Sequence, residues 1–568
     1  MRVVLTAHGT DPRDEQSRWV LGQMLQVLGL AVGGRPEGDE PYLSIAYGAE
    51  GADAPGGAPL VFIPKHERAA SEGGRLPDPV EVYDRDGDTF LAFPPFDALP
   101  HGEALWRDRR GGVAAVREGA WPNRVRFAFD LALPARRLLS RREEKEGPRD
   151  ILDRYRPESS WLAEWDLFGE PVVDRLGSML RAAIESALVG AGMAMVRLLP
   201  WPRGEQFAVS LSHDQDQSLR WERRLARHGL QALRGGTGGR RKGLRLALRD
   251  LRDGAVSPTL LSERILRWEG DHDIRSTFFF LAVDKDRFDR RYRVESPPFR
   301  RFLRDLAERG FAVGLHGGLD SYLSADTLRR ERAKVEESVG REIAGVRQHY
   351  IRLRVPETWA AQRQAGFRYD ASLGYPDTPG FRGGTSFPFS PFGIEDFVEI
   401  PLHGMDRALV AEGITNHGAW DIWSAPARRV GGLLDILWHP YFTDTDLGEE
   451  REHQLRGLLA WMAGWRGEAW IATLDEVAAW WNARRRAASA GAWRAAGRTF
   501  VRHRFEEGVA AATLTPAPTA SDIRIESAEG LKAEVFAGPA GPRVSIRDAG
   551  TGAEIVLSLR PRKNGRTR

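Results

Sequence analysis

The stretch that most constrains this 568-residue chain is Phe207–Gln217, read FAVSLSHDQDQ. Phe207 to Leu211 is an apolar run with the length and composition of a buried β-strand. Ser212-His213 and then two carboxylates, Asp214 and Asp216, follow directly. α/β folds place reactive groups at this end of a strand, because the strand fixes the backbone while the loop exposes the side chains. Two acids one residue apart cannot both stay ionised at low cost unless they share a cation or a proton. The economical reading puts one carboxylate on a metal and leaves the other to move protons. The competing reading is a solvated turn, where Asp is common.

Further along, elements alternate. Thr277–Leu281 (TFFFL) reads as a strand, Phe299–Arg309 as a helix stopped by Gly310, and Phe311–Leu315 as a strand with His316 next. Ala325–Val339 is a helix ahead of Gly340, Val346 leads into Arg347-Gln348-His349-Tyr350, and Pro356–Ala365 is a helix ahead of Gly366. Ile400–Leu402, Ile436–Trp438 and Trp470–Ala472 are short strands; His439-Pro440 follows the second, and Thr473 to Glu476 forms a capping box opening the last helix. Such alternation argues for a parallel sheet, open or closed into a barrel. Four strand ends then carry chemistry: Asp214/Asp216, His316 with Asp320, Arg347/His349, and His439. In a parallel barrel all such ends converge on one face.

A chain of this length divides into several cores. Residues 1–200 read as a separate α/β domain, with strands at Val3–Leu5, Leu60–Ile63, Thr89–Phe93 and Val125–Phe129 and helices at Gln16–Leu30 and Pro171–Leu188. Residues 201–485 hold the alternating barrel-like part. Residues 486–568 read as a small antiparallel β domain, with strands at Ile523–Ile525, Ala533–Phe536, Val544–Ile546 and Ile555–Leu559, and a disordered basic tail. His8 and Asp11 are read as loop residues, and Arg141–Glu146 as a solvated helix end. Leu244, Leu248 and Leu251, set among arginines, mark a basic amphipathic helix that either packs on the barrel or faces an anionic substrate or membrane surface.

Composition closes several routes. With no Cys, the chain can have no disulfide, thiol nucleophile or Cys-based zinc site. Lys+Arg of 82 against Asp+Glu of 79 leaves a net charge of +3, which gives no argument for a nucleic-acid partner. No stretch approaches the roughly 20 apolar residues of a membrane span, so no transmembrane segment is expected, though peripheral membrane contact stays open. The opening MRVVLTAHGTD lacks a basic segment followed by an apolar core, so no secretory signal is expected and a cytoplasmic location is. Oligomeric state has no signature in the sequence.

In order and kind the motifs resemble the polysaccharide deacetylase (NodB-like) superfamily, carbohydrate esterase family four, over roughly residues 205–480. That family's Thr-Phe-Asp-Asp motif has its counterpart in Ser212-His213-Asp214-Gln215-Asp216, and its His-Ser/Thr-x-x-His motif in His316-Gly317-Gly318-Leu319-Asp320. Its Arg-centred strand end is similar to Arg347-Gln348-His349-Tyr350, and its late Leu-x-His to Leu437-Trp438-His439. A bacterial subgroup with an SHDxD, GLH and RQHY motif set and an N-terminal α/β extension is matched further by Tyr369-Asp370-Ala371-Ser372-Leu373-Gly374-Tyr375 and by Gly380-Phe381-Arg382-Gly383-Gly384-Thr385.

The resemblance implies a distorted (β/α) barrel that removes N-acetyl groups from amino sugars of a polysaccharide or glycan precursor. It also implies one divalent metal ion, zinc first, with manganese, nickel or cobalt as alternatives. On this basis Asp214 is expected as catalytic base, Arg347 as the group that orients it, and His439 as general acid. Asp216 and His316 are expected as metal ligands, and His213, Tyr350, Asp370, Tyr375 and Arg382 as substrate contacts. The chain departs from the family pattern twice. Gln215 splits the Asp pair, so base and ligand could be exchanged, and Asp320 stands where the family has a second His. Asp320 or His349 is expected to complete the ligand set. Two other readings stay open: a hydrolase of another non-peptide C–N bond, such as a ureide or a formamide, and a non-catalytic deacetylase-like glycan-binding protein.

Overall fold

A curled, all-parallel sheet forms the centre of the computed structural model. Its strands in chain order are β1 (Phe207–Gln215), β2 (Thr277–Leu281), β3 (Ala312–Gly317), β4 (Gly345–Gln348), β5 (Tyr369–Asp370), β6 (Val398–Glu399), β7 (Gly404–Met405), β8 (Leu433–Leu437) and β9 (Ala469–Ile471). In space the order is β6-β5-β4-β3-β2-β1-β8-β7, and β9 pairs with the first residues of β1. The structure describes residues 2–7, 12–30, 32–36, 40–48, 58–66, 76–216, 228–230, 232–234, 236–254, 260–283, 292–444, 448–505, 509, 511–517, 520–538 and 541–561. His8, Asp11 and the basic tail from 562 onwards lie outside the described residues.

Side-chain contacts prove the curl. β4 and β8 stand four steps apart, which in a flat sheet is roughly 19 Å. Yet Arg347 Nη2 of β4 lies 2.6 Å from Asp435 Oδ2 of β8. The sheet must therefore bend its inner faces together. Among the described residues no pairing joins the outermost strands β6 and β7, so the barrel is not closed.

Strand parity sorts the aromatic residues of β2. Phe278 and Phe280 face outward, where Phe302 of the helix Pro297–Glu308 packs edge-on against both. Phe279 faces inward, and its ring lies beneath the Arg347 guanidinium, 4.7 Å from centroid to Cζ. The interior has room for these large groups because neighbouring inward positions are glycine. A Cβ at Gly314 would stand 2.6 Å from the Phe279 ring, and one at Gly345 would stand 2.0 Å from Tyr369. The expected helices form: Ala325–Val339 stops at Gly340, which takes φ +84°, and Leu474–Arg485 opens on the Thr473–Glu476 capping box.

Eight strands between residues 2 and 127 form a mixed sheet. Arg2–Ala7, Tyr42–Tyr47, Leu60–Ile63 and Arg124–Phe127 are parallel neighbours, and Val113–Glu118, Gly102–Asp108, Val80–Tyr83 and Thr89–Ala92 continue it antiparallel. The helices Pro12–Val27, Ala132–Leu139 and Val172–Gly190 pack with it. The C-terminal strands form two four-stranded antiparallel sheets. One of these takes in Met195–Leu198, which pairs with Thr513–Ala517, so the chain before residue 200 supplies a strand to the C-terminal sheet.

Two sequence expectations need correction. Arg141 and Glu144 are fully buried, not a solvated helix end: Glu144 accepts two hydrogen bonds from Arg382 at 2.8 and 2.7 Å and one from Arg141 at 2.8 Å. The charges stay inside because each is paired. The helix Thr237–Gly254 buries Leu246 and Ala247, while Leu244 and Leu248 are 56% and 58% exposed, so of the two readings of this helix the one that packs on the barrel does not hold for these two leucines. The Leu251 side chain lies outside the described residues. No helix among the described residues is long and apolar enough to cross a membrane.

Candidate functional site

β1 runs further than its apolar stretch suggests and carries the polar residues within the strand. Alternation then decides which of them can reach the interior. Ser212 and Asp214 point in: Arg347 Nη1 donates to Ser212 Oγ at 2.8 Å and to Asp214 Oδ1 at 3.2 Å. His213 and Gln215 point out, toward the helix Leu260–Asp271. His213 Nε2 lies 3.0 Å from Glu269 Oε1, its Nδ1 donates to the Trp438 carbonyl at 2.6 Å, and Gln215 accepts from Ser262. His213 is thus wedged behind the sheet and has no route to a substrate.

Arg347 is the hub of the floor. Besides Ser212 and Asp214 it donates to Asp435 and, through Nε, to the Ala371 carbonyl at 2.7 Å. All of these groups are buried. Burial alone would lower the Arg347 guanidinium, but the charges of Asp214 and Asp435 raise it above its ordinary value. Burial pushes Asp435 up to about 6 against the pull of Arg347.

Above this floor Asp216, His316 and His349 offer one ligand atom each, all within 4.8 Å of one another. His316 Nε2 stands 3.1 Å from Asp216 Oδ1, and His349 Nε2 3.6 Å from the same oxygen. His316 Nδ1 donates to the Arg347 carbonyl at 2.9 Å, which leaves Nε2 as the nitrogen with the lone pair in the neutral ring. A backbone carbonyl holding the far nitrogen is the usual support of a metal-binding imidazole. Two imidazole nitrogens and a carboxylate oxygen fit a zinc-type cation. Burial would raise the Asp216 carboxyl, but the hydrogen bond to His316 and the charges of His439, His349 and His316 hold it well below the usual carboxylate range. His349 owes its position to a strained turn, in which Tyr350 and Ile351 both take left-handed backbone angles, φ 60° and 50°. The Tyr350 ring stacks on His349 with centroids 4.1 Å apart.

His439 faces this group across the cavity, with Nε2 3.8 Å from Asp216 Oδ2. Its Nδ1 lies 3.1 Å from Asp406 Oδ2, and that carboxylate also accepts from the His439 backbone N–H at 2.6 Å. Burial would lower the imidazole, but Asp406, with Asp216 and Asp214, raises it to about 10. The cavity these groups line measures about 530 Å³, and Tyr350, Met405, Leu437 and Tyr441 form further wall. Arg154, from the segment before residue 200, also reaches it.

Several sequence candidates lie elsewhere. Asp320 is 81% exposed on its side chain and pairs with Arg352 at 3.2 Å, so His349, not Asp320, joins Asp216 and His316. Asp370 is buried in a network with Ser372, Gln362 and Glu399 outside the cavity lining. Burial raises its carboxyl, and burial together with the Asp370 charge pushes Glu399 well above its ordinary value. Tyr375 packs edge-on against Phe168, centroids 5.1 Å apart, and Arg382 forks onto Glu144; both belong to the seam with the N-terminal segment. Two contributing residues escaped the sequence reading. Asp435 had a visible signal, a charge in the middle of the apolar run LLDIL. Asp406 had little, since it follows a strand of only two residues.

No family model matches the sequence, and no curated protein matches it. Among solved structures the chain is similar to a protein assigned as a polysaccharide deacetylase from Mycobacterium smegmatis, with 18% identity and a TM-score of 0.33, over 52% of this chain and 96% of that one. It is also similar to Puue allantoinase, with 16% identity and a TM-score of 0.32, over 50% of this chain and 93% of that one. A third is the Bc1960 peptidoglycan N-acetylglucosamine deacetylase, with 14% identity and a TM-score of 0.26, over 49% of this chain and 89% of that one.

Proposed function

We propose that the chain is a metal-dependent hydrolase that removes N-acetyl groups from amino sugars of a polysaccharide or glycan precursor. The supporting observation is that one cavity brings together an oriented carboxylate, an Asp/His/His donor set and an Asp-backed histidine. Asp216, His316 and His349 would hold a divalent ion, zinc first by their donor chemistry. When bound, such an ion polarises a carbonyl oxygen and acidifies a water molecule.

The chain's own residues do the rest. Arg347 takes Asp214 Oδ1, which fixes the carboxylate and leaves Oδ2, 3.8 Å from His316 Nε2, to accept the proton of the attacking water. Asp406 holds His439 at Nδ1, so Nε2 faces the cavity and donates a proton to the departing amine nitrogen. Tyr350 and Met405 border the space where a sugar ring would lie. In this reading residues 201–485 are the catalytic region, residues 1–200 and 486–568 are accessory regions, and the chain works in the cytoplasm on a glycan or amino-sugar substrate.

The test pairs elemental analysis of the purified full chain with acetate release from a panel of N-acetylated glycans. Acetate release that stops on chelation and returns with added zinc supports the reading. Bound metal without acetate release from any member of the panel overturns it, and ammonia release from a ureide in the same assay would move the reaction to another C–N bond.

A further inference from the structure

A second cavity, of about 280 Å³, lies where the N-terminal helices, the base of the central region and the C-terminal sheet meet. Arginines dominate its polar wall: Arg181 from the helix Val172–Gly190, Arg197 from the strand Met195–Leu198, Arg429 from the helix His417–Val430, and Arg543 from the strand Gly541–Arg547. Among the described residues none of these four forms an ion pair or donates a side-chain hydrogen bond. The Nε atoms of Arg197 and Arg543 are buried without a partner. One N–H of each of these two guanidinium groups is thus buried with nothing to accept it, and a polar group left so is costly unless something compensates it. Burial pushes the Arg197 guanidinium down to about 10, the charges of Arg181 and Arg543 add to that, and Glu185 opposes it.

The acidic residues on the wall do not provide the compensation. Glu205 gives Oε1 to Arg203 at 2.6 Å while its Oε2 is buried without a hydrogen-bond partner and reaches none of the four arginines, and the oxygens of Asp174 are taken by Thr385 and Ser386. A fifth arginine, Arg428, turns away to Ser424 and the Trp465 ring. Met24, Val27, Leu199 and Phe387 give the wall an apolar side, and Gln23, Ser178 and Gln206 add neutral polar groups.

We propose that this cavity binds a small amphipathic anion, with a carboxylate or phosphate head on the arginines and a hydrocarbon portion against the apolar wall. Guanidinium groups take both heads by the same forked geometry. The site is separate from the metal-ligand cavity and draws on all three parts of the chain, so an occupant would tie them together.

The experiment titrates the full-length protein with decanoate, decyl phosphate and inorganic phosphate by calorimetry, and follows the melting temperature. The expected result is one-to-one binding of decanoate or decyl phosphate with a rise in melting temperature. Arg197→Met and Arg543→Met should each weaken binding at least tenfold, while the ligand-free Arg197→Met protein melts no lower than the parent. Arg429→Ala, at an exposed position, tests the same point should Arg197→Met not fold. The proposal is overturned by any of four results: no binding of either amphiphile at millimolar concentration, unchanged affinity in the variants, inorganic phosphate binding as tightly as decyl phosphate, or a lower melting temperature in both ligand-free methionine variants.

Discussion

Asp214 lies within β1 and Asp216 directly after its end, and both line the same cavity, yet their surroundings divide their roles. Asp214 is taken by a guanidinium, whereas Asp216 is surrounded by imidazoles. Asp214→Asn and His439→Ala are each expected to lower turnover by about 10²-fold or more, with metal content unchanged in both, as measured by acetate release and elemental analysis. Loss of metal in Asp214→Asn would exchange the roles of the two acids. Asp406 accepts from the His439 ring and backbone and, through Oδ1, from the Arg407 N–H at 2.6 Å; Asp406→Asn is expected to cost about 10- to 100-fold in turnover with little change in KM, since it acts through His439. The ligand set is decided by three further variants. His316→Ala and His349→Ala should lose metal, while Asp320→Ala should keep it, since Asp320 points to solvent and Arg352. Retained metal in His349→Ala would send the third ligand back to another group.

At the scale of elements, the curl of the sheet rests on charges as well as on apolar packing. Arg347 of β4 ties to β1 through Ser212 and Asp214 and to β8 through Asp435. Removing one partner of a buried pair leaves the other charge stranded, at about 3–5 kcal/mol. Arg347→Met should therefore lower the melting temperature strongly. The double variant Arg347→Met/Asp435→Leu should recover much of that stability while its turnover stays low, because Asp214 would still lack the group that orients it. Recovery of turnover in the double variant would count against that role. The cap of the helix Leu474–Arg485 gives a milder test. Thr473→Ala removes the oxygen that accepts from the Glu476 N–H and should cost about 1 kcal/mol by denaturant unfolding.

Across the whole molecule, the seam between the N-terminal segment and the central sheet is a buried ionic joint. Burial would raise the Glu144 carboxyl, but Arg382 and Arg141 overcome it and hold the group at about 2, against an ordinary 4.5. A carboxyl lowered in the folded state stabilises the fold above its unfolded value and loses that contribution as pH falls through the folded one. Here the loss runs from about pH 4.5 down to about 2 and amounts to roughly 3 kcal/mol, at about 1.4 kcal/mol per pH unit. Glu144→Gln should melt well below the parent at pH 7, and the difference should shrink through that acid window. A difference independent of pH would mean the carboxylate charge does not hold the seam.

Periodicity alone determined much of the architecture. Apolar runs mark the strands of the central sheet, glycines mark helix ends such as Gly310 and Gly340, and the capping box at Thr473 marks the start of the last helix, because these signals act within a few residues of chain. The run of polar residues after such strands also pointed to Asp214, Asp216, His316, Arg347 and His439, since parallel strands present their carboxyl ends on one side. What sequence could not supply was whatever depends on partners distant in the chain. Asp435 and Asp406 meet the site because the sheet curls; the strand that holds Asp435 is too apolar, and the strand before Asp406 too short, to announce a function. His213, Asp370, Tyr375 and Arg382 stood in a motif with site residues, but strand parity and the N-terminal seam turned them away from the cavity. His349 rather than Asp320 reached the donor set because a strained turn swings it toward Asp216, whereas Arg352 and solvent hold Asp320 outside. Neighbours in sequence share a motif, but only packing decides which of them share a cavity.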